Sequence, residues 1–498
     1  MKKIIPLFLS VLIWGACSDF LNTEPKNAVT YSNFFKTEQD INTAAESMHS
    51  VFRTCFGDVS PRLYLQRALP FDYLDVMWEK LTHNNFKDTY GKSNPSLYWE
   101  GEYKTIAMAN MIIGNIHKAG LSPERYNFYL GQAYVIRAYT YFRTIQLWGN
   151  APIVKNFEDV SPKERRPWTE VCSYIIQDLK KAIEILPPVS GLKDINGNPV
   201  TDKQIPSQGT AWAILAYVYG WQAQLNNQPE LLTEAIKACD TVINSGEYVL
   251  ADNIEEVCEK VMYGNSPEGI FELNFSAIPR EENTKGACIA GAAQQYPAEP
   301  LATPATPRFY LAIRFSTVFG MYTETDERRS YFYNLEETSQ WPESQTQGYA
   351  YLYKYRHFVV EESGFFAGEI RAYTDNEILI RLSGLYLLRA EYRAKTGDAG
   401  GAIADLNVVR RRAKAPEYSA GEGELRKVIS LERRKELFGE GDNFLELLRE
   451  GFEGEVPGFK NLTPQDIQEG RIFIPLSSMA FENNTRQTQY PYWEKQGY

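Results

Sequence analysis

Residues 376–413 read Asn376-Glu-Ile-Leu-Ile-Arg-Leu-Ser-Gly-Leu-Tyr-Leu-Leu-Arg-Ala390-Glu-Tyr-Arg-Ala-Lys-Thr-Gly397-Asp398-Ala-Gly-Gly-Ala402-Ile-Ala-Asp-Leu406-Asn-Val-Val-Arg-Arg-Arg-Ala413. Apolar residues recur at three- and four-residue spacing on both sides of the Thr-Gly-Asp turn. They are Ile378, Leu382, Leu385 and Leu388 before it, then Ile403, Leu406 and Val409 after it. That period predicts two helices around a tight turn. Ala390 and Ala402 stand twelve apart, as small residues do in a tetratricopeptide (TPR) helix pair, where they let the helices approach closely. A lone helical hairpin cannot bury its apolar face, so the chain should contain similar units for it to stack on.

Such units lie upstream. Trp212, Leu215, Ala216 and Tyr219 match the W-x-x-L-[GA]-x-x-Y core of a first TPR helix, and Ala235, Cys239 and Val242 mark its partner. An earlier unit spans 124–187. Its first helix runs from Glu124 to Trp148 and ends at Gly149-Asn-Ala-Pro152; its second runs from Trp168 to Leu186 and stops at Pro187-Pro188. Helices over Asp40–Val51, capped near Thr37, and from Trp99 to Ile113 supply a fourth unit with a long insertion. One more helix is expected over Glu424–Leu437 and a shorter one over Phe444–Arg449. The expected fold is mainly α, a TPR-like helical-hairpin scaffold with large loop-rich insertions. One domain covers 31–498. The scaffold takes about 31–56, 97–250 and 376–415, ligand-facing irregular segments take 57–96 and 251–375, and a C-terminal segment takes 416–498.

The irregular segments are rich in aromatic residues. The first holds Asp72-Tyr73 and Trp78. The second holds the strand-like run Ile270–Phe275, then Tyr296, Trp341-Pro342 and Tyr349-Ala-Tyr351. Long loops set on a rigid scaffold are where binding residues concentrate.

Composition narrows the function. With 44% hydrophobic and 23% charged residues this is an ordinary globular chain. A net charge of −11 argues against a phosphate-backbone partner. Aromatic residues reach 13%, with 32 Tyr and 9 Trp, more than core filling usually needs. A ligand with flat apolar faces and many hydroxyls is one use for the excess; a Tyr-rich scaffold is another. No run of 18 apolar residues occurs, so no membrane-spanning helix is expected. Lys2-Lys3, the apolar run Ile4–Trp14, Gly15-Ala16 and then Cys17 form a secretory signal of bacterial lipoprotein type, with Cys17 as the lipidated new N-terminus. Residues 17–30 are expected to be an extended tether. Cys55, Cys172, Cys239, Cys258 and Cys288 show no C-x-x-C spacing, and buried free thiols are the expected state. The four histidines have no ligand spacing, and no nucleophile-elbow, P-loop or dinucleotide motif is present. A glycosidase needs two carboxylates facing one pocket, and nothing singles out such a pair among 63 acidic residues. No catalytic residue, cofactor or metal is expected.

Five ordered motifs resemble one family, the SusD/RagB-like outer-membrane lipoproteins of Bacteroidetes. The opening Cys17-Ser-Asp-Phe-Leu-Asn-Thr-Glu-Pro is similar to the family's lipidated start. Trp99, Tyr103, Ile106 and Asn110 resemble its W-x-x-x-Y-x-x-I-x-x-x-N helix. Arg137-Ala138, Tyr141-Phe142, Leu147, Gly149 and Pro152 resemble its R-A-x-x-Y-F…L-x-G-x-x-P signature. The run from Arg381 through Ala390-Glu391 to Arg410 resembles its late TPR, and Arg433-Arg434, Glu436, Glu440-Gly441, Leu447 and Arg449 its R-R-x-E-L-x-x-E-G block. Asn443 and Glu446 depart from the usual Arg and Asp. The resemblance implies a non-catalytic binder of glycans, or in some branches peptides, at the cell surface. It also implies a SusC-like TonB-dependent transporter as partner in the outer membrane. A TPR scaffold for protein peptides alone and a glycoside hydrolase are the other readings.

Sugars present apolar CH faces and hydroxyl edges, which proteins meet with aromatic rings and with carboxylate, amide or Arg groups. The candidate ligand residues are therefore Asp72, Tyr73 and Trp78 in the first loop and Tyr296, Trp341 and Tyr349 in the second, with Asn84, Asn85 and Arg308 in reserve. The competing use of each aromatic is to pack its loop onto the scaffold. Trp99, Trp148, Trp212 and Trp221 sit on helical apolar faces and read as core. Arg410–Arg412 and Arg433-Arg434 read as solvated or buried-pair positions, not an anion site.

Overall fold

The computed structural model describes residues 34–57, 72–73, 80, 83–86, 93–94, 97–278, 283–284, 290–291, 311–364, 367–440, 443–482 and 484–498. Its long helices pair in chain order: α1 (Glu38–Gly57) with α2 (Glu100–Asn115), α3 (Pro123–Trp148) with α4 (Trp168–Ile185), and α5 (Gln208–Leu225) with α6 (Leu231–Ile243). The hairpin of α7 (Leu382–Lys395) and α8 (Ala399–Arg412) then stacks on α6, although the whole 251–375 segment intervenes. Helix α9 (Leu425–Glu436) covers α7 and α8, and α10 (Asn443–Glu450) packs on α5. The four expected hairpin units are present, and the stack is TPR-like.

Local chemistry sets the helix ends. Asp40 Oδ2 accepts from Thr37 N at 2.8 Å while Thr37 Oγ1 accepts from Asp40 N at 3.2 Å, a reciprocal cap on α1. Helix α1 runs six residues beyond the expected Val51. Ser122 caps α3 with Pro123 as its first residue. At the other end Gly149 takes φ 68°, and a Cβ there would lie 2.3 Å from the Tyr490 hydroxyl and 2.6 Å from the Phe473 ring. Asp398 Oδ1 accepts from Gly401 N at 2.9 Å in the Thr-Gly-Asp turn. Ala390 and Ala402 are fully buried beside Leu387, Leu406, Val409 and Ile429, so close approach of α7 and α8 is their role. Gly220 serves the same purpose between α5 and α7: a Cβ would meet the Tyr392 hydroxyl at 1.9 Å.

One part of the decisive stretch is not helical. Residues Glu377–Arg381 form a strand antiparallel to Gly269–Leu273, with Phe271 opposite Ile380 and Leu273 opposite Glu377. The helix therefore starts at Leu382, and Ile378 belongs to a sheet. Ile378-Leu379-Ile380 is a short apolar run, and periodicity alone does not separate a buried strand from a buried helix turn. Two β-branched residues and an extended Arg381 (φ −136°, ψ 164°) decide for the strand.

Among the described residues the strands, in chain order, are β1 (Asp72–Tyr73), β2 (Gly269–Leu273), β3 (Asn283–Thr284), β4 (Leu311–Arg314), β5 (Tyr349–Ala350), β6 (Phe358–Val360), β7 (Ile370–Tyr373) and β8 (Glu377–Arg381). They form three small sheets, β1–β4–β5, β2–β8 and β3–β7–β6. The strand expected near 270–275 is β2. The rest of the insertion's described residues form short strands, short helices and turns.

Buried charges fasten this insertion to the scaffold. Arg381 binds Glu268 and Glu436 at 2.6 Å and Glu440 at 2.7 Å. Arg328 binds Asp326 at 2.8 Å and Glu432 at 2.6 Å; Arg410 also binds Glu432, at 2.8 Å. Arg412 joins Glu268 and Glu436, and Lys354 joins Glu440. Burial alone would raise the Glu268, Glu432 and Glu436 carboxyls, but the surrounding guanidinium groups outweigh it and hold all three below the usual range. The motif charges elsewhere are also internal pairs. Arg137 grips Asp178 at 2.7 and 2.8 Å and Asn110 at 2.6 Å, while Arg449 grips Glu391 and Arg433 grips Glu446. Arg410, Arg412 and Arg433 are thus buried-pair positions, and Arg411 is exposed beside Glu417.

Candidate ligand-binding face

The three-stranded sheet joins the two irregular segments. Asp72 stands opposite Ala312 and Tyr73 opposite Leu311; on the other side of β4, Ile313 stands opposite Ala350 and Arg314 opposite Tyr349. Residues far apart in the chain are thereby held in one register. Gln347 and Gly348 both take positive φ, 54° and 78°, and turn the chain into β5.

An aromatic cluster separate from the main core lies on this sheet. Ala312, Tyr349 and Tyr351 are its buried members, with Tyr333 and Trp341 packed against them. Trp341 is half-buried, its ring 6.5 Å from that of Tyr351 and inclined by 59°. Arg314 is exposed, places its guanidinium 4.9 Å from the centre of the Tyr349 ring, and donates to the Tyr349 hydroxyl at 3.3 Å. Tyr333 stands edge-on to Tyr353 at 5.4 Å. A half-buried indole and an exposed guanidinium on the same aromatic cluster suit an apolar sugar face with hydroxyls at its edge.

Four of the six residues singled out from the sequence meet here: Asp72 and Tyr73 form β1, Tyr349 opens β5, and Trp341 packs on the sheet. Tyr349 is 7% exposed, so most of its ring supports the cluster from within. Trp78 and Tyr296 lie outside the described residues, as do Arg308, Cys17 and Cys288. Of the reserve residues, Asn84 is buried and donates to the Arg471 carbonyl at 3.2 Å, which fixes its loop to the C-terminal segment. Sequence reasoning passed over Arg314 and Tyr333. The Tyr349-Ala-Tyr351 alternation was visible, but nothing in Leu311–Arg314 shows which strand it pairs with.

Trp99, Trp148 and Trp221 are buried and Trp212 is half-buried, all within the core. Cys172, Cys239 and Cys258 are buried free thiols, and Cys55 is half-buried; burial pushes the Cys258 thiol up to about 12. Among the described residues no group of three or more His, Cys, Asp or Glu side chains is arranged to hold a metal ion, and no helix is long and apolar enough to cross a membrane.

The fold and this face define a TPR-like helical scaffold protein with a loop-built candidate binding surface. The profile of the SusD family matches residues 283–493, and a second profile, described as starch-binding and associating with the outer membrane, matches residues 19–219. The chain belongs to the SusD/RagB family. SusD-like protein P38 of Formosa agariphila is 24% identical over 518 residues, covering 94% of each chain, and SusD-like protein P2 of the same organism is 25% identical over 500 residues, covering 93% of this chain and 94% of that one. Among solved structures, a SusD homolog from Bacteroides thetaiotaomicron superposes with a TM-score of 0.78 at 21% identity, over 92% of this chain and 99% of that one. NanU of B. fragilis superposes with a TM-score of 0.73 at 20% identity, over 94% and 99%.

Proposed function

We propose that this chain is a non-catalytic binder of oligo- or polysaccharide at the outer surface of the outer membrane, anchored by a lipid on Cys17. Its binding face combines Asp72, Tyr73, Trp78, Tyr296, Trp341 and Tyr349. The observation that carries this reading is the β1–β4–β5 sheet, which brings the two irregular segments into one register and gathers Trp341, Tyr349 and Arg314 beside it. Rings supply stacking area for apolar sugar faces, and the guanidinium and carboxylate groups suit hydroxyl edges. The description of the matching N-terminal profile, starch-binding and associating with the outer membrane, supports both ligand class and location. Delivery to a SusC-like TonB-dependent transporter follows from the family resemblance: the chain acts as a lid that loads ligand into the barrel.

Native gels cast with single polysaccharides test this directly. At least one glycan should retard the purified protein, and the same glycan should release no reducing ends on long incubation. Reducing-end release by pure protein would move the chain to the hydrolases, and no retardation by any glycan would remove the binding reading.

A further inference from the structure

A groove of about 400 Å³ lies between the first turns of α2 and residues 152–163, and no sheet strand lines it. Tyr98, Trp99 and Tyr103 line it. Two ion pairs flank it, Lys104–Glu100 at 2.7 Å and Lys163–Asp159 at 2.5 Å. Each pair neutralises itself, so the groove offers donors and acceptors without net charge.

The far wall is built, not draped. Tyr103 donates to the Pro152 carbonyl at 2.7 Å, Asn110 to Val154 O at 2.8 Å, and the Asn484 and Gln487 amides to Lys163 O at 2.9 and 3.2 Å. Arg165 sits 5.5 Å from the Trp99 ring and donates to Asn150 O and Thr488 O at 2.7 and 2.8 Å. These bonds hold both ends of the loop while Val160, at its tip, stays 91% exposed. The wall is thus bonded to α2 at residues 152–154 and to the C-terminal segment at Lys163, and the stretch between these ties borders the groove. Gln487 also lines the groove. It is 8% exposed, and its Oε1 accepts no hydrogen bond among the described residues.

We infer that this groove holds a stretch of uncharged saccharide chain, as a second contact for a polysaccharide bound at the β1–β4–β5 face. The inference rests on the glycan reading above. Both lysines of the lining are already paired with carboxylates, which leaves a phosphate or sulfate group no unpaired lysine there, and the ionic walls disfavour a purely apolar helix. Aromatic lining with balanced polar groups suits a sugar of no charge.

The test uses the full mature chain on an array of neutral and acidic polysaccharides. The retained polymer and its hexasaccharide are then titrated separately. Ala107→Trp, from α2, and Ser161→Trp, from the loop, each fill the groove, and Trp341→Ala strips the sheet face. Two linked contacts on one polymer multiply affinity, so the groove-filling variants should lose polymer affinity on the order of 10²-fold. Their thermal midpoints and their affinity for the hexasaccharide at the sheet face should be unchanged. Unchanged polymer affinity in both filled variants, with loss in Trp341→Ala, overturns this inference and leaves the proposed function standing. A wild-type chain that binds nothing on the array overturns both.

Discussion

Replacing Arg381 by Met tests how the 251–375 insertion is held. Its side chain is 1% exposed and binds Glu268, Glu436 and Glu440 together. The buried cations of the network are Arg328, Lys354, Arg381, Arg410 and Arg412, and its buried carboxylates are Asp326, Glu268, Glu432, Glu436 and Glu440; Arg410 also pairs with the part-exposed Glu422. The two sets balance one for one. Arg381→Met leaves one buried negative charge in excess, and breaking a buried pair from one side costs about 3–5 kcal/mol. Unfolding entropy of about 2.1 cal/mol/K per residue gives a chain of this length roughly 1 kcal/mol/K, so the thermal midpoint should fall by about 3–5 °C. Adding Glu268→Met restores the balance and should recover about 1–3 kcal/mol, read as the coupling energy of a double-mutant cycle in urea. A midpoint that moves by less than about 1 °C, or a cycle with no coupling, would refute the claim that this network fastens the insertion.

Three further outcomes follow from single sites. Burial raises the Glu272 carboxyl to about 7 from 4.5, so the fold favours its protonated form; this stability is present below pH 4.5 and is lost as pH rises through 7. Glu272→Gln should therefore match wild type at pH 4 and exceed it at pH 8 by up to about 3 kcal/mol in urea unfolding, and equal stability at pH 8 would count against it. Gly220→Ala drives a methyl into the buried Tyr392 hydroxyl and should cost about 1–3 kcal/mol by the same assay, whereas Gly114→Ala, with open space around it, should not destabilise. Mass spectrometry of protein extracted from membranes should find an acylated Cys17, and an unmodified N-terminus would end the anchor proposal.

The scaffold was legible because its signal is local. Trp212, Leu215, Ala216 and Tyr219 on one helix face, or Gly149 after Trp148, carry their meaning within a few residues. The β8 strand was missed because a run of three apolar residues, Ile378-Leu379-Ile380, has no period of its own. The pairing of Asp72 with Ala312 was unreadable because a two-residue strand shows no alternation and its partner lies in another segment. Likewise Arg381 and Glu268 are 113 residues apart, and the sequence does not say which acid meets which guanidinium. Aromatic richness marked the loop segments as candidates, while the sheet that joins them, and the groove beside α2, emerge only once the chain is folded.

The central claim is that glycan binds at the β1–β4–β5 face through its aromatic side chains. The most direct measurement is calorimetric titration of a retained oligosaccharide into the wild type and into a Trp78→Ala/Trp341→Ala double variant of unchanged thermal midpoint. Losing two stacking rings at about 1–3 kcal/mol each, as for bases stacked on aromatic side chains, should weaken binding by at least about 30-fold. Binding of equal affinity and enthalpy in the double variant would contradict the account and place the glycan elsewhere on the chain.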